Sequence, residues 1–211
     1  MSSLLNQIAE QGQRIARAEQ ATRDTLKQLE ETNLLLLSEV KERRLAESRL
    51  RILCDTMTSS DLSIFDRIAR MLKTTCESFG FDAGILAKIE DGKYTVIQSW
   101  TDAEFPKPMP PGTIYELTET YCKSLDQEGT SIGIDNIGES DWKTHPLYIA
   151  YHIETYLGVC VRIRQKFWGA LCFVDLDKRE KPFIKPDHDF IRLMSQWIGA
   201  EMSLEKQQLE L

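Results

Sequence analysis

The side chains best suited to hold a small molecule are aromatic residues with polar tips, most of which lie between Tyr121 and Tyr156. Each such ring offers a stacking surface and one hydrogen bond, which suits a planar ligand. Arg162 lies on a predicted strand that would border the same region, where it would supply a cation for an anionic group. The alternative that these rings simply fill the interior stays open, because buried aromatic residues are ordinary packing. The candidate ligand contacts are Trp100, Tyr121, Cys122, Trp142, His145, Tyr148, Tyr156 and Arg162.

Catalytic signals are weaker than these binding signals. Cys122 would lie near the start of a short helix, whose dipole lowers the pKa of a thiol, but no neighbouring residue supplies a base. The sequence contains no phosphate-binding loop and no dinucleotide fingerprint. The five cysteines form no CxxC pair and no cluster with histidine, so we expect reduced thiols and no metal site. The sequence therefore predicts a protein that binds without catalysing a reaction.

The order of predicted elements indicates an α+β fold. A helix over 62–79 ends at Gly80, and a final amphipathic helix follows Phe183. Between them, apolar runs separated by turn signals predict two hairpins, a short helix over 117–125 with Thr118 as its cap, and a short strand. An antiparallel sheet with the first and last helices on one face satisfies this order. The short helix and long loops would cover the other face and leave a pocket. The predicted strands are 83–89, 94–100, 131–134, 157–163 and 168–174, with Gln165-Lys166 between the last two.

A long helix precedes this domain. Residues 4 to about 54 contain no proline and are rich in good helix formers. Asn33 lies at the centre of the better half of a seven-residue pattern, where a buried polar residue fixes register and strand number. We predict a parallel coiled-coil homodimer, while a solvated helix that folds back on the domain stays open as the alternative. One row is Leu5, Gly12, Glu19, Leu26, Asn33 and Val40, and the other is Ile8, Ile15, Thr22, Leu29 and Leu36.

The charge and hydropathy of the chain restrict its partners. The formal net charge of −7 argues against nucleic acid and against anionic lipid as partners, since both need a basic surface. No apolar run approaches the roughly 20 residues of a membrane helix, and the first residues lack the features of a secretory signal. We therefore expect a cytoplasmic protein with no membrane partner.

Residues 56–202 resemble a GAF domain. The segment ETYCKSLDQEGTSIGID at 119–135 looks like the central helix and following strand of that family, and residues 141–159 look like the segment that leads into its fourth strand. The runs FWGALCF and FIKPDHDFIRLMSQWIG look like its final strand and helix. GAF domains of bacterial histidine kinases and diguanylate cyclases look closest. The resemblance implies a sensory module that dimerises and couples the binding of a small ligand to flanking signalling helices.

This resemblance also suggests how the chain is divided. Residues 1–55 would form the coiled-coil helix, 56–202 the GAF domain and 203–211 the start of an output helix. Phe190, Trp197, Leu204 and Leu211 recur every seven residues and continue past Met202, as an output helix requires. Two alternatives stay open: the chain is a fragment of a larger histidine kinase or diguanylate cyclase, or such an enzyme is a separate partner.

The family resemblance raises the question of a cofactor. Phytochrome-like GAF domains carry a cysteine, commonly followed by histidine, before the fourth strand. The matching segment here, Thr144 to Leu147, contains His145 and no cysteine, and Cys160 lies inside the strand. We therefore expect no covalent bilin, and the sequence identifies no other cofactor.

Two other functions stay open at this point. One is an interaction or assembly protein whose GAF pocket is filled by its own side chains. The other is a thiol-dependent reductase similar to the free methionine sulfoxide reductases, although the segment TYCKSL around Cys122 lacks the glycine-rich surroundings of those enzymes.

Overall fold

The computed structural model describes residues 2–59, 61–106, 108–125 and 131–209. The chain divides into two compact units, Met1–Ser48 and Arg49–Leu211. The helices are α1 Ser2–Thr58, α2 Ile64–Phe79, α3 Pro146–Tyr151 and α4 Lys185–Leu209. The strands are β1 Ala83–Glu90, β2 Lys93–Thr101, β3 Ile114–Glu116, β4 Ser131–Ile134, β5 Thr155–Ile163 and β6 Lys166–Asp175. Short 3-10 turns are Leu117–Glu119, Tyr121–Ser124, Ile137–Glu139 and Asp141–Thr144.

The six strands form one antiparallel sheet in the order β3-β2-β1-β6-β5-β4. The β1–β2 hairpin turns at Asp91 and Gly92, both with positive φ, which is the backbone that a two-residue hairpin loop needs. The β5–β6 hairpin turns at Arg164 and Gln165, one position earlier than the sequence predicts. These two residues also have positive φ, although neither is glycine.

Long helices cover one face of the sheet, as predicted. Helix α2 begins at a cap in which the Ser63 hydroxyl accepts a hydrogen bond from the Asp66 N–H, and it ends at Gly80 in the left-handed conformation. Its apolar side chains pack with those of α4, with Leu53 near the end of α1, and with one face of the strands. The strand residues on this face include Leu86, Leu157, Val159, Val161, Leu171 and Phe173.

Short elements cover the other face. The predicted helix over 117–125 is replaced by two 3-10 turns, Leu117–Glu119 and Tyr121–Ser124, and neither has a side-chain cap at its start. Thr118 is therefore not a cap. A second apolar cluster fills the space between these turns, α3 and the sheet, and its strand residues are Ala83, Ile85, Ala87, Tyr94, Val96, Tyr156, Ala170, Cys172 and Val174.

The described residues of the unit Met1–Ser48 all belong to α1. Its described side chains are almost all exposed, including apolar residues at the predicted heptad positions. Among these are Ile15, Leu26, Leu29, Leu36 and Val40. Within the described part of the chain, no helix combines the length and apolar character that crossing a membrane requires.

Candidate functional site

A cavity lies between the second face of the sheet and its cover of short turns. Strands β1, β2, β5 and β6 form its floor, and the turns around Tyr121 and Leu147 form its roof. The described lining residues are Ile85, Tyr94, Phe105, Met109, Tyr115, Glu119, Thr120, Tyr121, Cys122, Leu147, Tyr151, Ile153, Tyr156, Cys172 and Val174. Three of the candidate ligand contacts, Tyr121, Cys122 and Tyr156, are in this set.

The volume of the cavity limits what it holds in this conformation. It measures about 70 Å³. Pockets for drug-sized ligands occupy roughly 300–1,000 Å³, and one water molecule takes about 30 Å³ of the liquid. The buried rings of Tyr121 and Tyr156 take up space that a larger ligand would need. A ligand of metabolite size therefore requires the cover to move away from the sheet.

An aromatic stack lies behind one wall of the cavity: Tyr121 and Tyr156 are lining residues, whereas the predicted contacts Trp142 and His145 are not among the described lining residues. The Tyr121 ring centroid lies 5.1 Å from that of Trp142, 4.5 Å from that of His145 and 5.4 Å from that of Tyr156. Two caps hold this wall in place: Ser140 Oγ accepts from the Trp142 N–H, and His145 Nδ1 accepts from the Leu147 N–H. Burial lowers the pKa of His145, which favours the neutral ring that such a cap requires. His145 thus acts structurally here.

Two thiols and two phenols are among the polar groups that line the cavity, and they contact one another in pairs. The Tyr156 hydroxyl donates to Cys122 Sγ at 3.4 Å, and the Tyr94 hydroxyl lies 3.5 Å from Cys172 Sγ. Gly158 pairs with Cys172 across β5 and β6, and the Tyr156 hydroxyl lies against Gly158, so the two thiols are neighbours on this face of the sheet. All four side chains are at most 4% exposed. Burial raises the pKa of both phenols well above the ordinary value, so the hydroxyls stay protonated and can serve as donors.

These hydrogen bonds act in opposite directions on the two thiols. The bond from the Cys172 thiol, supported by the Tyr156 hydroxyl, lowers the pKa of Cys122 despite its burial. The hydrogen bond between Cys172 and Cys122, together with burial, raises the pKa of Cys172. Cys122 is therefore the more readily ionised member of the pair. The described contacts of its sulfur are these thiol and hydroxyl groups, which do not include a general base of the kind found in cysteine enzymes.

Tyr148 lies at the outer edge of the cover. Its ring packs against the cavity-side cluster, and its hydroxyl donates to Glu154 Oε1 at 3.0 Å. Glu154 Oε2 also accepts from the Gly138 N–H at 3.1 Å. This network ties α3 to the loop before β5, and Tyr148 is not among the described lining residues.

Trp100 lies on the opposite face of the sheet, where it packs against the helix-side cluster. A β-bulge explains this position. Ala87 pairs with Val96 and Leu86 pairs with Gln98, so Ile97 is an extra residue in β2. An extra residue exchanges the faces for every later position of a strand. Without it, Trp100 would share the cavity face with Tyr94 and Val96.

Arg162 is also separated from the cavity. It lines a groove between β5 and α4, near the turn that ends β5. Arg162 lies six positions after Tyr156 along the strand, a distance of roughly 20 Å. Gly199 allows the close approach of α4 here, because a Cβ at that position would lie 2.1 Å from the Arg162 carbonyl oxygen. Arg162 does not supply a cation to the cavity in this conformation.

Several lining residues were not among the predicted contacts. Tyr94 and Cys172 lie on strands that the sequence predicts, and two-residue alternation from Val96 and Val174 would have placed both on the cavity face. Phe105 and Met109 belong to a proline-rich loop without periodicity, so no local signal identifies them.

A family model and the solved structures similar to this chain both identify GAF domains. The model of the GAF domain matches residues 62–202. The GAF domain of a phosphoenolpyruvate-protein phosphotransferase from Coxiella burnetii superposes with a TM-score of 0.63 at 15% identity, covering 79% of this chain and 99% of that one. The corresponding domain from Acinetobacter gives 0.61 at 15% identity, covering 79% and 98%. At such identities these matches establish the fold alone. No curated protein matches the chain.

A third similar structure is the phycoerythrobilin-bound GAF domain of a cyanobacterial phytochrome, with a TM-score of 0.61 at 14% identity, covering 77% of this chain and 97% of that one. The cavity of the present chain does not fit a bilin. Its volume of about 70 Å³ is too small for a tetrapyrrole, and the segment Thr144 to Leu147 contains no cysteine.

Proposed function

This chain belongs to the GAF domain family, and we propose that it is a non-catalytic regulatory module that dimerises through α1 and couples events at the cavity to α1 and α4. GAF domains are sensory and ligand-binding modules. The observation that carries the proposal is the layout of the domain, in which one sheet has the cavity on one face and α2, α4 and the end of α1 on the other.

Two arginine side chains join the helices on that face. Arg67 of α2 donates to the Met57 carbonyl of α1 at 3.1 Å and to Glu201 of α4 at 2.7 Å. Arg49 of α1 donates to the Ser78 carbonyl at the end of α2 at 3.0 Å and contacts Asp187 of α4 at 3.5 Å. A shift of any one helix therefore disturbs contacts with the other two.

The strands provide the link between the faces. On β5 and β6, Tyr156 and Cys172 face the cavity, while the adjacent Leu157 and Phe173 pack among the helices. Displacing a strand on the cavity side therefore moves side chains on the helix side, because a packed interior transmits strain. A ligand that prefers one arrangement of the cover would shift the population of helix arrangements by its difference in affinity.

The exposed apolar rows of α1 support the dimer. Leu36 belongs to a heptad row and is 51% exposed, whereas the neighbouring Leu35 lies outside both rows and is 70% exposed. A parallel pair of helices would bury the first and leave the second in water.

Multi-angle light scattering on the full chain tests this arrangement. We expect a dimer at micromolar concentration, a shift towards monomer in Leu36→Glu, and no shift in the matched control Leu35→Glu. A monomeric wild type, or equal effects of both substitutions, contradicts dimerisation through these rows.

A second candidate is an assembly module with a self-filled pocket, which the small volume of the cavity favours. Thermal shift assays with cyclic nucleotides, tetrapyrroles and aromatic metabolites distinguish a ligand sensor from a module with a self-filled pocket. Binding to the native state raises the melting temperature. Val174→Ile places one more methylene in the cavity. Loss of a ligand-induced shift in this variant supports sensing, whereas no shift with any compound and a more stable variant supports self-filling.

The resemblance to GAF domains of histidine kinases and diguanylate cyclases makes such an enzyme our proposed partner, in the cytoplasm. Co-purification of full-length protein with candidate enzymes of its own host tests this part, and unchanged kinase and cyclase activity on adding the protein would contradict it.

A further inference from the structure

The two thiols in the cavity join parts of the fold that are far apart in sequence. Cys122 belongs to the cover turn Tyr121–Ser124, and Cys172 belongs to β6 in the floor. Cys122 Sγ lies 3.4 Å from the Tyr156 hydroxyl, that hydroxyl lies against Gly158, and Gly158 pairs with Cys172 across β5 and β6. Both cysteines also line the same cavity. The other buried cysteines have different positions: Cys76 is in the helix-side cluster, and Cys160 borders the groove beside α4.

We propose that Cys122 and Cys172 are a redox-active pair, which hydrogen peroxide or a related hydroperoxide converts into a disulfide between cover and sheet. The proposal concerns a single protomer. It stands independently of dimerisation through α1 and of any ligand in the cavity.

The geometry assigns different roles to the two sulfur atoms. Cys122 accepts a hydrogen bond from the Tyr156 hydroxyl, which stabilises its thiolate, and the pKa of Cys122 is lowered by its hydrogen-bonding neighbours despite burial. The thiolate attacks one oxygen of the peroxide, the O–O bond breaks, and the hydroxide that leaves takes the proton released by Cys122. The products of this step are water and a sulfenic acid at Cys122.

Cys172 then acts as the resolving thiol. Its sulfur attacks the sulfenic sulfur, the S–O bond breaks as the S–S bond forms, and the departing hydroxide takes the Cys172 proton to give a second water. Two thiols together lose two electrons, and one peroxide is reduced to two waters. Because both residues line the same small cavity, this second step is favoured over further oxidation of Cys122.

The cavity also has room for the peroxide and for formation of the disulfide. Its volume of about 70 Å³ exceeds the roughly 30 Å³ of one water molecule, so a molecule slightly larger than water fits beside the thiols. The same space allows both side chains to rotate when the bond forms. The disulfide would close a loop of about 50 residues and hold the cover against the sheet.

Thiol counting on the folded full chain tests the proposal. Exposed Cys54 is replaced by serine, which leaves four of the five cysteines. After treatment with hydrogen peroxide, quenching and unfolding, we expect two free thiols, and four again after reduction with dithiothreitol. Peptide mapping without reduction should identify a Cys122–Cys172 linkage. Four remaining thiols, or linkage of another pair, would overturn the proposal.

Variants of the same chain assign the roles. With Cys54→Ser present, Cys160→Ala should keep the Cys122–Cys172 linkage. Cys172→Ala should abolish it and leave a sulfenic acid on Cys122 that dimedone traps, whereas trapping at a different cysteine would overturn the assignment. The main result needs neither cavity variant, so misfolding of Cys172→Ala leaves the proposal testable. Oxidation should also raise the melting temperature by about 5 °C, reversibly with dithiothreitol.

Discussion

On one face of the sheet, Leu171 and Phe173 pack against two long helices, whereas on the other face Tyr156 and Cys172 meet 3-10 turns and a loop. The helix side consists of apolar contacts with arginines at its margins, while the cavity side contains phenols, thiols and an unfilled volume. Long helices bury continuous apolar stripes, but short turns present isolated side chains that leave gaps. The helix side is thus suited to stability and the cavity side to change.

Truncating one residue on each face gives the largest expected effects. Leu171→Ala, on the helix side, should lower the free energy of unfolding by about 3–4 kcal/mol, because it opens a void in close packing. Ile85→Ala, on the cavity side, should cost about 2 kcal/mol, since Ile85 already borders empty space and loses fewer contacts. Urea unfolding of both variants measures the difference. Equal losses would mean that the two faces are packed alike.

Adding a methyl group on the cavity side of the sheet should change the free energy of unfolding by a smaller amount. At Gly158 a Cβ would lie 2.1 Å from the Tyr156 hydroxyl oxygen, and the Tyr156 ring is buried with little freedom to move. Gly158→Ala should therefore destabilise the domain by about 1–3 kcal/mol and displace Tyr156 from Cys122. Urea unfolding measures the first effect, and slower peroxide oxidation of Cys122 reports the second. Gly12→Ala, where a Cβ meets nothing within 4 Å, is the control without a clash.

A titrating carboxyl lies where the end of β6 meets the start of β1. Burial, with the nearby Asp82, raises the pKa of Asp175 from 3.8 to about 6. The folded state thus binds this proton more tightly than the unfolded chain, so stability should fall as the pH rises from about 4 to about 6 and then level off. After discounting for solvent at this half-exposed site, the fall is about 1 kcal/mol.

Asp175→Asn tests this pH dependence by removing the titrating group. Urea unfolding at a series of pH values should show that the substitution removes the fall. Asp177→Asn keeps the backbone N–H that donates to Asp175, so the fall should persist in that variant. An unchanged pH profile in Asp175→Asn would exclude this carboxyl as the cause.

The smallest expected effects concern the two hairpins, which lie outside both faces. Gly92 and Gln165 occupy equivalent turn positions with φ of 74° and 63°. Gln165→Gly should raise the free energy of unfolding by about 0.5 kcal/mol, because glycine adopts this backbone without strain, and Gly92→Ala should lower it by about 1 kcal/mol. Thermal melts of the two variants should therefore shift in opposite directions.

The sequence alone determined most of the secondary structure and the family. Two-residue and 3.6-residue periodicities are local properties, so the strands, the Gly80 stop of α2 and the covering of one face by helices could be predicted. The crowding of aromatic residues between Tyr121 and Tyr156 predicted ligand contacts, whereas the packing of Tyr121 against Trp142 and His145 was not predicted. The domain limits at 55/56 and 202/203, the ligand contacts and the dimer stay predictions.

Only the tertiary structure decided which side chains meet in the cavity. The bulge at Ile97 turns Trp100 to the helix face, and the length of β5 separates Arg162 from Tyr156. The pairing of Cys122 with Cys172 and the small volume beside them depend on how the cover settles on the sheet. Periodicity assigns a residue to a face, but bulges, distances along strands and contacts across 50 residues arise from long-range packing, which no local pattern encodes.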